Sequence, residues 1–374
     1  MPKKPSLDEL NGRLERAGKI LDSCATMIRD NPEIDSANVW NIADALSAVH
    51  GITSEIYKIR PDLMPDFLKK SPYDTVETNR RERALPRIIA AANDKSRRLR
   101  DLVIGPEVLV MPGAWDPLSA ILFERLGFQA IQGSSSAIAA AGGQPDGEVL
   151  TREQTVAATR QIASAVSVPV NADGERGYGG PEEIAATVVA FVEAGAAGMN
   201  LEDSVSSGQA RGLAPIPDHL EKIAAVMETK RGLGSDFFLN ARVDVFAIMR
   251  DDPKAALGEA IKRGNAYAEA GADCIFCLGV SDRETLATLV KEVAAPISAF
   301  AVADTPSVAE LEEIGVARVS YGSAFQRVAL AALKRFVEGI REPDGHAAMR
   351  EAMSSRELQE LLRGRRPGGG QIRS

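Results

Sequence analysis

Cysteine and histidine are scarce: the 374 residues include three of each. Three cysteines are too few for a scaffold held together by disulfide bonds. Cys274 and Cys277 have the spacing of a redox or metal pair, but they lie in an apolar run that we interpret as a strand. Side chains three apart on a strand point to opposite faces, so the two sulfur atoms could not act together. The sequence therefore predicts two small core residues.

A basic surface and long apolar runs are also missing. The formal net charge is −8 and the sequence pI is about 5.2, which argues against a nucleic-acid partner. No apolar run is long enough for a membrane span, and the first residues lack the apolar core of a secretory signal. These absences favour a cytoplasmic protein with no nucleic-acid and no membrane partner.

Residues 1–100 differ in pattern from the rest of the chain. Apolar stripes at helical spacing predict a pair of helices, one with Leu7, Leu10 and Leu14, the next with Val39, Ile42, Leu46 and Val49. No chemical constellation occurs there. We predict three regions: a helical extension for oligomerisation or partner docking over 1–100, a catalytic barrel over 101–343, and a C-terminal helix with a tail over 344–374.

Short apolar runs alternate with amphipathic helices from about residue 105, which is typical of a parallel α/β fold. The predicted strands are Glu107–Met111, Gln129–Gln132, Val168–Ala172, Gly198–Leu201, Phe237–Ala241, Asp273–Leu278, Pro296–Ala301 and Ala317–Tyr321. Several helices end in a glycine that can adopt the left-handed conformation before the next strand. Eight such strands predict a (β/α)₈ TIM-type barrel with a helical extension at the N-terminus and a helix at the C-terminus.

Polar residues follow several predicted strands, at the rim where a parallel barrel binds ligands. Asp173 and Glu175 follow the third strand, Glu202 the fourth and Arg242 the fifth. The same rim would hold Trp115, Asp116, Ser134, Ser135, Ser136 and Asn240. Their position makes them candidates for metal and substrate binding.

Carboxylates without histidine or cysteine beside them suit a hard cation such as Mg²⁺, or Mn²⁺, which takes oxygen ligands. Asp173, closest to a strand end, is the expected direct ligand, while other carboxylates hold the waters of the metal. Ser134–Ser136 can donate to a carboxylate or a developing oxyanion. The planar fork of Arg242 suits an anionic group. The pattern predicts metal-assisted chemistry on an anionic small molecule.

Six motifs, in order, resemble the isocitrate lyase/phosphoenolpyruvate mutase superfamily over about residues 105–340. They are MPGAWD at 111–116, GSSS at 133–136, PDGE at 145–148, ADGERGYG at 172–179, NLED at 200–203 and NAR at 240–242. The resemblance implies a Mg²⁺-dependent enzyme that makes or breaks a C–C or P–C bond next to a 2-oxo or 2-hydroxy acid, through a metal-stabilised enolate. It also implies homo-oligomers, dimers or tetramers, in which a terminal helix is exchanged between subunits.

The resemblance assigns roles to individual residues. It implies that Asp173 binds the metal directly and that Asp116, Glu175 and Glu202 bind it mostly through water. Ser134–Ser136 would hold one carboxylate of a small carboxylate substrate, and Arg242 would hold its other end. Trp115 and Asn240 are further candidates for substrate binding.

The loop after the fourth strand departs from the superfamily pattern. Relatives that cleave isocitrate-type acids carry a cysteine there as proton donor, whereas this loop reads SVSSGQARGL at 204–213, without cysteine or lysine. The lysine that follows the Glu-Asp pair in phosphoenolpyruvate mutases is Ser204 here. Tyr178, Arg211 or a metal-bound water could take the role of proton donor.

Three hypotheses of function follow. The first is a Mg²⁺-dependent lyase that cleaves a C–C bond in a small 2-oxo or 2-hydroxy carboxylic acid. The second is a phosphonopyruvate or phosphoenolpyruvate mutase or hydrolase, which the missing lysine disfavours. The third is a barrel that binds metal and ligand without turnover, with its N-terminal helices docked to a partner.

Overall fold

The structure is a computed structural model. It describes residues 6–30, 59–63, 73–207 and 210–363, together with eight separate positions from Ile42 to Tyr57. Side chains are not described at 28–30, 73–84, 206–207 and 210–211. The chain divides into two compact units, Met1–Arg83 and Ala84–Ser374.

The first unit contains helix α1 (Leu7–Asp30) and a short 3₁₀ helix (Pro61–Leu63). The positions described from Ile42 to Tyr57 are helical as well. A Cβ built on Gly18 would lie 3.9 Å from a methyl carbon of Val49, and the Arg60 guanidinium lies 3.3 Å from the Asp8 carboxylate. These contacts place the two helical segments side by side, as a helical hairpin requires. Val39 of the second predicted stripe lies outside the described residues.

Helix α2 (Tyr73–Ile104) begins in the first unit and ends in the second. The strands of the second unit are β1 (Leu109–Met111), β2 (Gly113–Ala114), β3 (Ile131–Gly133), β4 (Val170–Asp173), β5 (Gly198–Glu202), β6 (Ser204–Ser207), β7 (Ala210–Leu213), β8 (Phe238–Val243), β9 (Cys274–Cys277), β10 (Ile297–Phe300) and β11 (Arg318–Ser320). The helices are α3 (Pro117–Arg125), α4 (Ser135–Ala141), α5 (Arg152–Ala165), α6 (Pro181–Glu193), α7 (Ile216–Leu233), α8 (Val245–Ile248), α9 (Pro253–Glu269), α10 (Arg283–Glu292), α11 (Val308–Glu313), α12 (Ala324–Gly339) and α13 (Ser355–Leu362).

The main sheet closes on itself through its first strand. That strand is split at Pro112 into β1, which pairs with β11, and β2, which pairs with β3, and every pairing in this sheet is parallel. The nine strands of the sheet therefore occupy eight barrel positions. Closure needs glycine at the seam, because a Cβ on Gly113 would lie 1.8 Å from the carbonyl oxygen of Gly322. The predicted (β/α)₈ barrel is confirmed.

Apolar side chains fill the space between the strands and the outer helices. Phe191, Phe237 and Tyr267 are among the largest fully buried side chains of this layer. Cys274 and Cys277 are buried and free, which confirms them as small core residues. The glycines that follow α3, α6, α9 and α11 have positive φ, as predicted: Gly127, Gly195, Gly271 and Gly315.

Two parts of the second unit differ from the prediction. The segment after Glu202, expected to be a loop, forms the antiparallel hairpin β6–β7. The C-terminal helix expected within 344–374 is divided: a 3₁₀ helix (Ala347–Arg350) precedes α13, and Ser354 starts α13 as a new helix by capping it together with Glu357. The tail expected at the end of this region lies outside the described residues, which stop at 363. None of the described helices is both long enough and apolar enough to cross a membrane.

Candidate active site

Three charged side chains meet at the carboxyl ends of neighbouring strands. Asp173 is the last residue of β4 and Glu202 the last of β5, and Glu202 is in register with Arg242 of β8. The Arg242 guanidinium forms an ion pair with the Glu202 carboxylate. Its Nε also donates to the Asp244 carboxylate at 2.9 Å. Parallel strands with matched ends thus bring an acid pair and an arginine to one rim, as predicted.

Ser135, Asp146 and Glu175 surround the Asp173 carboxylate, and Asp146 lies on the loop after α4. Ser135 donates to the Asp173 carboxylate from its hydroxyl at 2.8 Å and from its backbone N–H at 3.2 Å. The same hydroxyl lies 3.4 Å from the Asp146 carboxylate. The backbone N–H of Glu175 donates to Asp173 at 3.3 Å. Ser135 therefore bridges Asp173 and an acid that does not follow any strand.

The loops at 146–148 and 174–178 are tied together by Glu148. Its carboxylate accepts hydrogen bonds from the backbone N–H groups of Arg176 and Tyr178, both at 3.0 Å, and pairs with the Arg176 guanidinium at 2.9 Å. The backbone N–H of Glu148 donates to the Glu175 carboxylate. Among the described residues, Glu148, Glu175 and Tyr178 are the only non-glycine residues with positive φ. Backbone strain of this kind is concentrated at functional sites.

Burial and like charge oppose ionisation of the acids at this rim. Burial is the main cause that raises the pKa of Glu175 to about 8, and the Asp173 and Asp146 carboxylates raise it further. Burial raises the pKa of Glu202 to about 7, although Arg242 favours its charged form. Burial also raises the pKa of Asp173, partly offset by Arg242 and Ser135. A bound cation would favour the charged form of all three groups.

The donor set fits a hard divalent cation that keeps part of its water shell. The acidic side chains around Asp173 offer oxygen ligands, and their contacts with described residues include no cysteine or histidine. In the described part of the chain, no three histidine, cysteine, aspartate or glutamate side chains are grouped closely enough to ligate one ion together. Mg²⁺ is commonly bound through one or two carboxylates while it retains several waters. Asp173 could bind such an ion directly, and the acids around it could bind through its waters.

A layer of buried amides lies directly below the charged residues. Each of three asparagines stands two residues before one of the charged residues Asp173, Glu202 and Arg242, and so on the same face of its strand. They are Asn171, Asn200 and Asn240. The amides of Asn171 and Asn240 donate to the Asn200 side-chain oxygen at 2.9 and 2.8 Å. The structure therefore places Asn240, expected at the rim, one layer deeper, where it supports its neighbours.

The other predicted site residues lie in or beside β2, α4, β7 and the loop after β4. Trp115 is half-buried and packs on the core beside β2 and β3. Ser134 is buried and caps α4, with its hydroxyl 3.2 Å from that of Ser136. The Tyr178 hydroxyl donates to Thr155 at 2.8 Å and lies 3.5 Å from the Glu175 carboxylate. Arg211 lies in β7, and its side chain is outside the described part of the structure.

Asp116 does not join the acidic group through any of its described contacts. Its carboxylate accepts the backbone N–H of Ser119 at 2.7 Å and caps α3. Asp146 instead lies beside Asp173 and Glu175. From the sequence, we selected polar residues that directly follow a predicted strand. Asp146 and Glu148 follow a helix, so this criterion does not select them. The PDGE motif at 145–148 was the available signal, although no role was attached to it.

Comparisons with known proteins agree with this geometry. The phosphoenolpyruvate phosphomutase family model matches residues 99–341. A Corynebacterium glutamicum protein named "Probable 2-methylisocitrate lyase 2" is 30% identical over 283 residues, 73% of this chain and 90% of that protein. The 2,3-dimethylmalate lyase of Eubacterium barkeri is 31% identical over 270 residues, 68% and 89% of the two chains.

The fold comparison gives the same relationship. The structure of an oxaloacetate acetylhydrolase in complex with 3,3-difluorooxalacetate superimposes with a TM-score of 0.63 at 28% identity, over 71% of this chain and 92% of that one. The family model and the relatives cover the barrel and its rim. The chain belongs to the phosphoenolpyruvate phosphomutase family, within the isocitrate lyase/phosphoenolpyruvate mutase superfamily.

Proposed function

We propose that the protein is a metal-dependent lyase that cleaves a C–C bond in a small 2-oxo or 2-hydroxy carboxylic acid. The observation that carries this proposal is the convergence of Asp173, Glu202 and Arg242 at the ends of three adjacent strands. Acids suited to a cation lie there beside an arginine suited to a carboxylate. Relatives over most of the chain bear the names of lyases that act on such acids.

Mg²⁺ or Mn²⁺ is the proposed cofactor, with Asp173 as its direct ligand. Glu175, Glu202 and Asp146 would hold its waters, and Asp146 takes the role that the sequence motifs suggested for Asp116. When bound, the cation would polarise the substrate oxygens and offset the negative charge that develops on them. The contacts of Asp146 with Ser135 support this reassignment.

The remaining side chains would bind and orient the substrate. Arg242 is held by Glu202 and Asp244 through its Nε and Nη2 atoms and keeps 14% of its side-chain surface exposed at the rim, so its Nη1 group can contact a substrate carboxylate. Ser136, next to the cap of α4, can donate to the other end of the substrate. Ser135 is already engaged by Asp173 and would position that ligand.

Tyr178 is the proposed proton donor. Cleavage of a 2-hydroxy acid turns its C–OH group into a carbonyl group and releases the hydroxyl proton to water. The electron pair of the broken C–C bond stays on the other fragment, which must gain a proton. The Tyr178 hydroxyl is held by Thr155 and lies 3.5 Å from the Glu175 carboxylate. After the transfer, Tyr178 would regain its proton from solvent. The hairpin β6–β7 offers no cysteine for this task.

A substrate panel tests the proposed function. The full chain would be incubated with Mg²⁺ and 2-methylisocitrate, 2,3-dimethylmalate, oxaloacetate or phosphonopyruvate. We expect cleavage of at least one of the three carbon acids, lost in EDTA and restored by added Mg²⁺ or Mn²⁺. Turnover that is unaffected by EDTA would contradict the metal assignment.

Phosphonopyruvate chemistry is the second candidate, because the matching family model is that of a phosphomutase. It requires turnover of phosphonopyruvate with no cleavage of the carbon acids. Metal-dependent binding of the acids without any turnover would instead support a barrel that only binds its ligands.

The C-terminal part of the barrel supports the proposal of a homo-oligomer. Helix α12 exposes an apolar stripe at helical spacing, with Leu330, Leu333 and Val337 53%, 56% and 56% exposed. Such a contiguous apolar face is unusual on a monomer and favours a second subunit as its cover. We propose that residues 344–374 extend this interface, that 101–343 form the catalytic barrel and that 1–100 add a further oligomerisation or docking region.

Leu333→Glu is expected to shift the assembly from dimer or tetramer towards monomer, because a charge in the apolar stripe cannot be buried without cost. Light scattering of the full chain measures the change. Lys334→Gln, one position away at a side chain that is 73% exposed, is the matched control and should leave the assembly intact. A wild-type chain that is already monomeric would contradict the proposal.

A further inference from the structure

A buried ionic cluster lies beside the proposed substrate arginine and takes no direct part in the mechanism above. Its centre is Asp203, which follows Glu202 and is 0% exposed. The Asp203 carboxylate accepts hydrogen bonds from the Arg263 guanidinium, the Tyr267 hydroxyl and the backbone N–H of Asp244, each at 2.9 Å. Arg263 and Tyr267 stand one turn apart on α9, outside the barrel wall.

The cluster leads to Arg242 by two short links. The Asp203 carboxylate holds the backbone of Asp244, and the Asp244 carboxylate accepts from Arg242 at 2.9 and 3.1 Å in a bidentate pair. The backbone N–H of Asp203 also donates to the Arg242 carbonyl at 3.1 Å. Asp203 therefore binds the backbone at both Arg242 and Asp244, the first through its own N–H and the second through its carboxylate.

The same cluster closes the base of the β6–β7 hairpin. The Ala214 backbone N–H, just after the hairpin, donates to the Asp203 carbonyl at 2.8 Å. The Arg263 guanidinium donates to the Ala214 carbonyl at 2.9 Å, from the same nitrogen that contacts Asp203. Arg263 thus joins the two ends of the hairpin from outside.

Burial and packing hold the side chains of this cluster in place. Arg263 is 5% exposed and Tyr267 is 0% exposed. The Tyr267 ring packs against the His219 ring, with 4.6 Å between centroids. A buried carboxylate that lost a donor would have no water to replace it, so the present arrangement is strongly preferred.

We propose that Arg263 and Tyr267 are positioning residues, which set the placement of the Arg242 guanidinium and of the hairpin base through Asp203. The part of this inference that concerns substrate rests on the proposed function, in which Arg242 binds a carboxylate. The part that concerns the hairpin base does not. Substrate affinity is then governed in part by an outer helix that never touches the substrate.

Tyr267→Phe tests the proposal with the least disturbance, because it removes one hydroxyl donor and keeps the ring against His219. In the full chain with Mg²⁺, we expect oxalate, used as a dicarboxylate probe in calorimetry, to bind about three- to tenfold more weakly. This is less than the roughly ten- to hundredfold effect of losing a direct hydrogen bond to a charged group, because Tyr267 acts on Arg242 only through Asp203. Hydrogen exchange at the Ala214 N–H should accelerate, while exchange in β10 and β11 stays unchanged. Arg263→Lys, which keeps the charge and loses the fork, should show both effects more strongly.

Glu259→Gln is the matched control, because Glu259 contacts Arg263 at 2.8 Å on the side away from Asp203. It should leave the oxalate affinity and Ala214 exchange at wild-type values. Unchanged exchange and unchanged affinity in both Tyr267→Phe and Arg263→Lys would overturn the proposal, as would uniform acceleration of exchange across the barrel, which indicates a merely structural role. Failure of the wild-type protein to bind oxalate would count against the proposed function alone, and accelerated exchange at Ala214 would still support the hairpin role.

Discussion

The Asp173→Asn variant is expected to lose measurable Mg²⁺ binding and on the order of a thousandfold or more in turnover, since a bound metal supplies several kcal/mol of charge stabilisation in the transition state. The amide keeps the shape of the side chain and can still accept from Ser135, so the fold should persist. Calorimetric titration with Mg²⁺, steady-state turnover and thermal unfolding would measure the three quantities separately.

Two further aspartates provide internal comparisons for this result. Asp146→Asn should weaken Mg²⁺ binding by about ten- to a hundredfold, the usual effect of losing a group that acts through metal-bound water. Asp116→Asn should leave metal affinity unchanged, because its carboxylate caps α3 and asparagine caps equally well. Weakened metal binding in Asp116→Asn with unchanged binding in Asp146→Asn would return the metal site to the arrangement suggested by the motifs alone. Metal binding that survives in Asp173→Asn would contradict both arrangements.

The Arg242→Lys variant is expected to bind substrate about ten- to a hundredfold more weakly, because a hydrogen bond between charged groups is worth roughly 1.5–3 kcal/mol. Lysine keeps the charge but cannot contact Glu202, Asp244 and a substrate carboxylate at once. The Michaelis constant for the substrate identified by the panel, and the calorimetric affinity for oxalate, would measure the loss.

The same variant should also be less stable, since Glu202 and Asp244 are almost fully buried and would be left with a poorer partner. Arg283→Lys is the matched control at an arginine whose side chain is 46% exposed, and it should change neither affinity nor melting temperature. A wild-type Michaelis constant in Arg242→Lys, together with a lowered melting temperature, would show that Arg242 serves the fold and not the substrate.

Most of the barrel could be predicted because its signals are local. Each strand is a short apolar run, and the glycines after α3, α6, α9 and α11 mark the helix ends to within about two residues. The split at Pro112 and the hairpin β6–β7 were missed for different reasons. The first depends on how the barrel closes, and the second is a polar segment without the alternation that predicts strands.

The rim was predicted only where it is built from strand ends. Asp173, Glu202 and Arg242 follow from the rule that parallel strands end together, and the structure places them at the ends of three adjacent strands, with Glu202 and Arg242 in an ion pair. Asp146 lies near Asp173 because the loop after α4 folds back towards Ser135, and no local sequence pattern predicts this course of the loop. The depth of Asn240 was missed because a sequence shows which face a strand residue occupies but not how far below the rim it lies.

The stacking of an amide beneath each charged rim residue has a consequence for how this protein can diverge. The amides bind one another across three strands. An insertion or deletion of one residue within any of these strands would turn its charged residue towards the helices and would also remove its asparagine from the layer. Near the site, changes of length are therefore expected in the segments that connect these strands or α4 to the following helices, at 142–151, 174–180 and 204–213. A change of substrate specificity would then come from changes in these segments, while the asparagine layer below them is kept. Family members with different specificities should therefore differ in the lengths of these segments.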